Sequence, residues 1–206
     1  MEWRRLVDRY GVAVGYPVAL GAGTWLLRTR PRPVQDRWLD WASTNIANAG
    51  HHPIGALVVS ALLTDGELVG WLVLAVVALA AVGARFGAWR TALLVAAGHV
   101  LGTVISEGIL WYRVASGGLP DTYLRIRDIG PSYVIAAALV TGLAYATWPG
   151  RILCAIGFLV VASDLFSGLS RLEVAGVGHV CAMATALVLG GVLVRARRTT
   201  GATAVR

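Results

Sequence analysis

The stretch NIANAGHHPIGALVVSALL, residues 45–63, decides how the whole chain is threaded. Its apolar part, 54–63, is flanked by His51-His52-Pro53 on one side and Thr64-Asp65-Gly66 on the other. A helix needs about 20 apolar residues to cross a bilayer, so this segment is too short. It predicts an interfacial or re-entrant helix inside a long connection, 28–67. The rival reading is a seventh crossing, which would reverse every helix after it.

Working outward, six apolar runs are long enough to cross: 11–27, 68–83, 91–112, 129–148, 152–166 and 174–194. Trp25, Trp71, Trp89, Trp111 and Trp148 stand near their ends, as in an interfacial aromatic belt. The 206 residues are 57% hydrophobic and 14% charged, with a mean hydropathy of +0.68. A soluble domain would carry about 25% charged residues. These features predict an all-α, polytopic membrane protein: a six-helix bundle forming one membrane domain over 1–206. Its core covers roughly 11–194, with short polar termini at 1–10 and 195–206. The first run has no small-residue cleavage pattern after it, which argues against a cleaved signal.

The net charge of +7 does not indicate nucleic acid. All 18 basic residues are arginines, and they gather at the ends of apolar runs, where they act as topology signals. With both termini inside, the inner segments hold Arg4, Arg5, Arg9, Arg85, Arg90, Arg151, Arg195, Arg197, Arg198 and Arg206 against only Glu2 and Asp8. Arginines 28, 30, 32 and 37 on the other side are offset by Asp36, Asp40, Asp65 and Glu67. The expected location is the inner membrane of a bacterium with a GC-rich genome, with both termini cytoplasmic. Cys154 and Cys181 lie inside apolar spans and are read as small core residues.

Polar groups inside spans are few, and each raises a functional question. His99 and Glu107, eight residues apart, are about 80° apart around their helix and share a broad face. They are expected to hydrogen-bond to neighbours inside the bundle, since no third ligand stands at metal-binding spacing. Asp164, near the end of the fifth run, reads as solvated or as a cap.

Ser132 and His179 fall at the same depth, one in the first turn of the fourth helix and the other early in the sixth. Small residues recur every four positions along the sixth helix, at Gly178, Ala182, Ala186 and Gly190, and Ser132 and Ala136 continue the pattern on the fourth. Such stripes let membrane helices touch backbone to backbone. Packing of these two would bring a hydroxyl to an imidazole, a weak nucleophile beside a base. Pro131 suits a helix's first turn and Gly130 lets the chain turn tightly before it, which aims free N–H groups at the surroundings of Ser132, where an oxyanion would form. The plainer alternative is a serine bonded to its own helix and a satisfied core histidine.

At these residues the chain resembles the rhomboid family of intramembrane serine proteases. That family carries Gly-x-Ser-Gly at the start of its fourth core helix, and GPSY supplies Gly130 and Ser132. Its catalytic His on the sixth helix is followed by small residues three and seven places on, and GHVCAMATA supplies His179, Ala182 and Ala186. The long first loop and ARFGAWR, residues 84–90, are also similar. The resemblance implies a serine endopeptidase with Ser132 as nucleophile and His179 as general base, needing no cofactor or metal. Its substrates would be transmembrane segments of other proteins, cut near the outer face. Tyr133 stands where the family has its second Gly. The family's His and Asn on the second helix have no counterpart in LVGWLVLAVV, 68–77, leaving Asn45, Asn48, His51 and His52 as substitutes.

The alternative is a catalytically inactive relative that binds or escorts membrane clients. SRLEVAGVGH, 170–179, has a faint similarity to lipid-phosphate phosphatases, but the chain lacks their lysine and their Pro-Ser-Gly-His segment. A transporter finds no support, because no internal repeat is visible.

Overall fold

A computed structural model describes residues 2–203, with side chains through residue 196. The side chains of Arg197 and Arg198, and Arg206 altogether, lie outside the described residues. The described residues form nine α-helices and two short 3-10 turns, with no strand among them.

Five helices are long and apolar enough to cross a bilayer: α1 (Glu2–Arg28), α5 (Val69–Phe86), α6 (Ala88–Ala115), α8 (Trp148–Leu165) and α9 (Val174–Thr203, with the apolar part ending at Ala196). The run expected to cross at 129–148 is shorter than its hydropathy suggested. Its helix, α7, covers only Ser132–Tyr145, 14 residues, or about 21 Å of rise against a hydrocarbon core of about 30 Å. Pro131 precedes it, and the chain is extended at Ala146 and Thr147 before Pro149 opens α8. Arg151 caps the end of α7 by donating to the carbonyls of Ala146 (2.9 Å) and Ala144 (3.0 Å). The flanking residues are apolar but not helical, so the count of six full spans becomes five plus a short helix.

That short helix is the centre of the molecule. Every residue from Tyr133 to Gly142 is buried. A helix apolar all round belongs in a core, and α7 packs against α5, α6, α9 and α8 in turn, while α1 lies against α5 and α6. Backbone contact between α6 and α9 comes from glycines: a Cβ on Gly98 would lie 3.1 Å from the Ala182 carbonyl, and one on Gly102 2.8 Å from that of Gly178. Ala136, Ala182 and Ala186 are fully enclosed. The stripe on α9 thus faces α6 as well as α7, with Gly178 directly beneath the Tyr133 phenol.

The segment 28–67 contains α2 (Arg32–Ala42), α3 (Ile46–Ala49) and α4 (Pro53–Ser60). At eight residues α4 rises about 12 Å and cannot cross. Asn45 caps α3 through its side chain at 3.0 Å. The segment is tied to α1 by Tyr16, which donates to the Ala61 carbonyl at 2.7 Å, and by Thr24, which accepts from the Thr64 N–H at 3.1 Å.

Two faces follow from the turns. Gly87 alone joins α5 to α6, with φ of 81°, which favours glycine. It lies beside Asp8 at the start of α1, and Arg9 donates to the Ala84 carbonyl at 2.9 Å. On the opposite face Arg113, near the end of α6, donates to the carbonyls of Arg171 and Leu172, both at 3.0 Å, in the turn between α8 and α9.

Candidate functional site

Segment 40–60 covers the start of α7. The cover is stitched down through Asp128. The Thr44 N–H donates to the Asp128 carbonyl at 3.0 Å, the Thr44 hydroxyl reaches the Asp128 carboxylate at 3.1 Å, and the Asp128 N–H donates to Ser43 Oγ at 2.9 Å. Arg127 grips Asp40 at 2.6 Å. The Gly130 N–H donates to the Ser60 carbonyl at 3.1 Å, and Gly130 has φ of 137°, where a Cβ is disfavoured. That N–H is therefore already engaged and does not face an open oxyanion site.

Ser132 is half-buried and, together with Thr44, Ser60, His99, Asp128 and Tyr133, lines a crevice too narrow to hold a water molecule. His179 lies elsewhere. Its ring is met edge-on by Tyr133, with centroids 5.0 Å apart and planes at 89°. No hydrogen bond joins Ser132 to His179 among the described residues. Tyr133, 3% exposed, fills the space over Gly178 and donates its hydroxyl to Asp128 Oδ2 (3.1 Å) or the Val174 carbonyl (3.2 Å).

His179 is 5% exposed, and its Nδ1 is 2.9 Å from the Leu165 carbonyl. A carbonyl only accepts, so Nδ1 carries the proton and Nε2 is a bare lone pair, which finds no partner. His99 is arranged the other way round. Its Nε2 donates to the Leu57 carbonyl at 2.9 Å, with Ser60 Oγ at 3.5 Å, and its Nδ1 is the enclosed, unpaired atom. The Tyr133 ring also packs on His99, at 5.9 Å. The hydroxyl of Thr103 and both carboxylate oxygens of Glu107 are likewise enclosed without a partner. His99 thus bonds into the bundle as its sequence suggested.

Burial pushes the Asp128 carboxyl above the usual carboxylate range, opposed by the hydrogen bonds from Thr44 and Tyr133. Sequence reasoning missed Asp128 and Thr44. The position of Asp128 just before a Gly-Pro helix start was visible, but its partners are 84 and 85 residues away. The substitutes considered for oxyanion support are committed to folding their own segment. Asn45 caps α3, Asn48 donates to the carbonyls of Asp40 and Ser43 at 2.7 Å, and His52 bonds the Trp41 carbonyl at 2.8 Å while stacking on the Trp41 ring. His51 is exposed. Among the described residues no group of His, Cys, Asp and Glu side chains could hold a metal.

On the lipid-facing side, α5 and α8 leave an apolar groove of about 520 Å³ bordered by Trp71, Leu74, Leu153, Ile156 and Val160. Gly157 keeps its floor low, since a Cβ there would meet Leu74 and Leu139 at 2.9 and 3.0 Å.

A helical membrane bundle around a short central helix, with a serine at that helix's start, defines the class. The model of the family described as rhomboid-like protein matches residues 16–200, and the chain belongs to that family. No curated protein and no solved structure matches it.

Proposed function

We propose that this is a rhomboid-like membrane protein that holds the transmembrane segment of a client protein without cutting it. The observation that carries this reading is the Tyr133 ring packed edge-on against His179, with no hydrogen bond between that histidine and Ser132 among the described residues. Two further points support it: the Gly130 N–H is spent on Ser60, and the first-loop amides and His52 are spent on backbone carbonyls. A lost oxyanion donor alone costs about 10²–10³ in rate. The groove between α5 and α8 supports a client in the form of an apolar helix entering from the bilayer. The arginine distribution supports a bacterial inner membrane with both termini cytoplasmic.

One observation favours the proteolytic reading, with Ser132 as nucleophile and His179 as base. The tautomer of His179, protonated at Nδ1 and bare at Nε2, is the one a general base needs. Reaching the serine would require the Tyr133 ring to leave its place.

A fluorophosphonate probe applied to the full chain in membranes separates the two. The expected result is no labelling of the wild type, with cross-linking to a transmembrane client unchanged in Ser132→Ala. Labelling that disappears in Ser132→Ala would overturn the non-proteolytic reading.

A further inference from the structure

Where α6 ends, the structure encloses a cavity of about 490 Å³ between α6, the loop 116–131 and the start of α9. Its walls are largely apolar, with Leu110, Leu119 and Leu172 among them, and three arginines border it. Two of these are matched: Arg127 by Asp40 at 2.6 Å and Asp36 at 3.8 Å, and Arg171 by Glu173 at 2.7 Å. The third, Arg113, is half-buried and has no carboxylate partner among the described residues. One terminal nitrogen donates to the carbonyls of Arg171 and Leu172, which are neutral acceptors. Its Nε and second terminal nitrogen make no hydrogen bond. A guanidinium held at one corner and open along the other edge is a two-pronged donor for an oxyanion.

The turn that holds Arg113 is itself unusual. Leu172, with φ of 54°, is the one non-glycine residue in the left-handed region among the described residues. That backbone belongs to the turn whose two successive carbonyls hold Arg113. The Asp128 carboxyl, which also lines the cavity, bonds instead to Thr44 and Tyr133. Arg113 is therefore the cavity arginine with no carboxylate set against it among the described residues. Trp111 and Tyr112, exposed on α6 just before Arg113, mark this depth as the headgroup level.

We infer that this cavity binds the headgroup of an anionic phospholipid, its phosphodiester on the free edge of Arg113 and the start of an acyl chain along the leucine wall. A phosphodiester presents two oxygens to the free edge of Arg113, and the attached chain matches the apolar wall. The first-turn N–H groups of α9, at Val174 and Ala175 on the rim, add donors of the right sign.

The test uses the full chain in bilayer discs of phosphatidylcholine with a minor share of phosphatidylglycerol, followed by native mass spectrometry of the released protein. One phosphatidylglycerol is expected to stay bound, with a preference over phosphatidylcholine of about tenfold or more. Arg113→Gln, which keeps donors for the two carbonyls, and Ala175→Trp, which fills the mouth from an exposed position, are each expected to abolish that preference. Helix content and melting temperature should stay unchanged in Ala175→Trp, which carries the test if Arg113→Gln fails to fold. Equal retention of the two lipids overturns the inference, as does wild-type retention in Ala175→Trp. Displacement of the lipid by millimolar inorganic phosphate also overturns it, because the cavity would then be a site for free phosphate.

Discussion

At the scale of single residues, Tyr133 decides what the neighbouring serine can do. Its phenol closes the space above Gly178, and its hydroxyl ties the start of α7 to Asp128, on which the covering segment is anchored. Tyr133→Phe keeps the ring and loses only the hydroxyl, so it should cost about 1–2 kcal/mol of stability. Chemical or thermal denaturation in detergent measures this, and an unchanged midpoint would show the hydroxyl to be idle. Asp128 gives a pH signature. Its pKa is raised on folding, so its contribution is fully present below the ordinary carboxylate range and is lost as pH rises through the elevated folded value. Wild-type melting temperature should therefore slope downward across that window, and Asp128→Asn, which keeps an acceptor for Thr44 and Tyr133, should flatten the slope. The sequence revealed that Ser132 and His179 sit near the starts of their helices. It did not reveal that the residue after the serine, Tyr133, packs its ring against His179.

At the scale of helices, the tight seam runs between α6 and α9. Gly102 is in contact with α9 backbone, whereas Gly108, six residues on in the same helix, has nothing within 4 Å of where its Cβ would be. The same substitution should then have opposite effects. Gly102→Ala should destabilise by about 1–3 kcal/mol, since α9 must shift. Gly108→Ala should stabilise by about 0.5–1 kcal/mol by restricting the unfolded chain. Melting curves of the two variants in one detergent provide the comparison; a shared sign would mean the seam is looser than its geometry. The stripe on α9 was legible as a four-residue period, but its principal neighbour was not, because Gly98 and Gly102 lie in a run otherwise read for His99 and Glu107. The short length of α7 was partly legible in Pro131 and Pro149. Apolar residues at 129 and 146 disguised it, since hydropathy does not distinguish a helix from extended chain that is equally oily.

At the scale of the whole molecule, the turns sort the arginines onto two faces. Arg4, Arg5, Arg9, Arg85, Arg90 and Arg151 share the face of the Gly87 turn with Glu2 and Asp8. With that face cytoplasmic, Asp121→Cys should react with a membrane-impermeant maleimide in intact cells, and Glu2→Cys only after permeabilisation. The reverse pattern would invert the orientation. The bundle was readable from hydropathy alone because spans are long and uncharged. The cover over Ser132 was not, since it is made by pairs such as Thr44 and Asp128 that local spacing cannot join. The two faces also differ in how much change they can absorb. One side is closed by joints of one or two residues, at Gly87 and at 146–147, where extra chain would wedge packed helices apart. The other carries the 40-residue first connection and the loop at 116–131, where Gly117 meets nothing within 4 Å. Insertions, epitope tags and evolutionary drift can accumulate only on that second side.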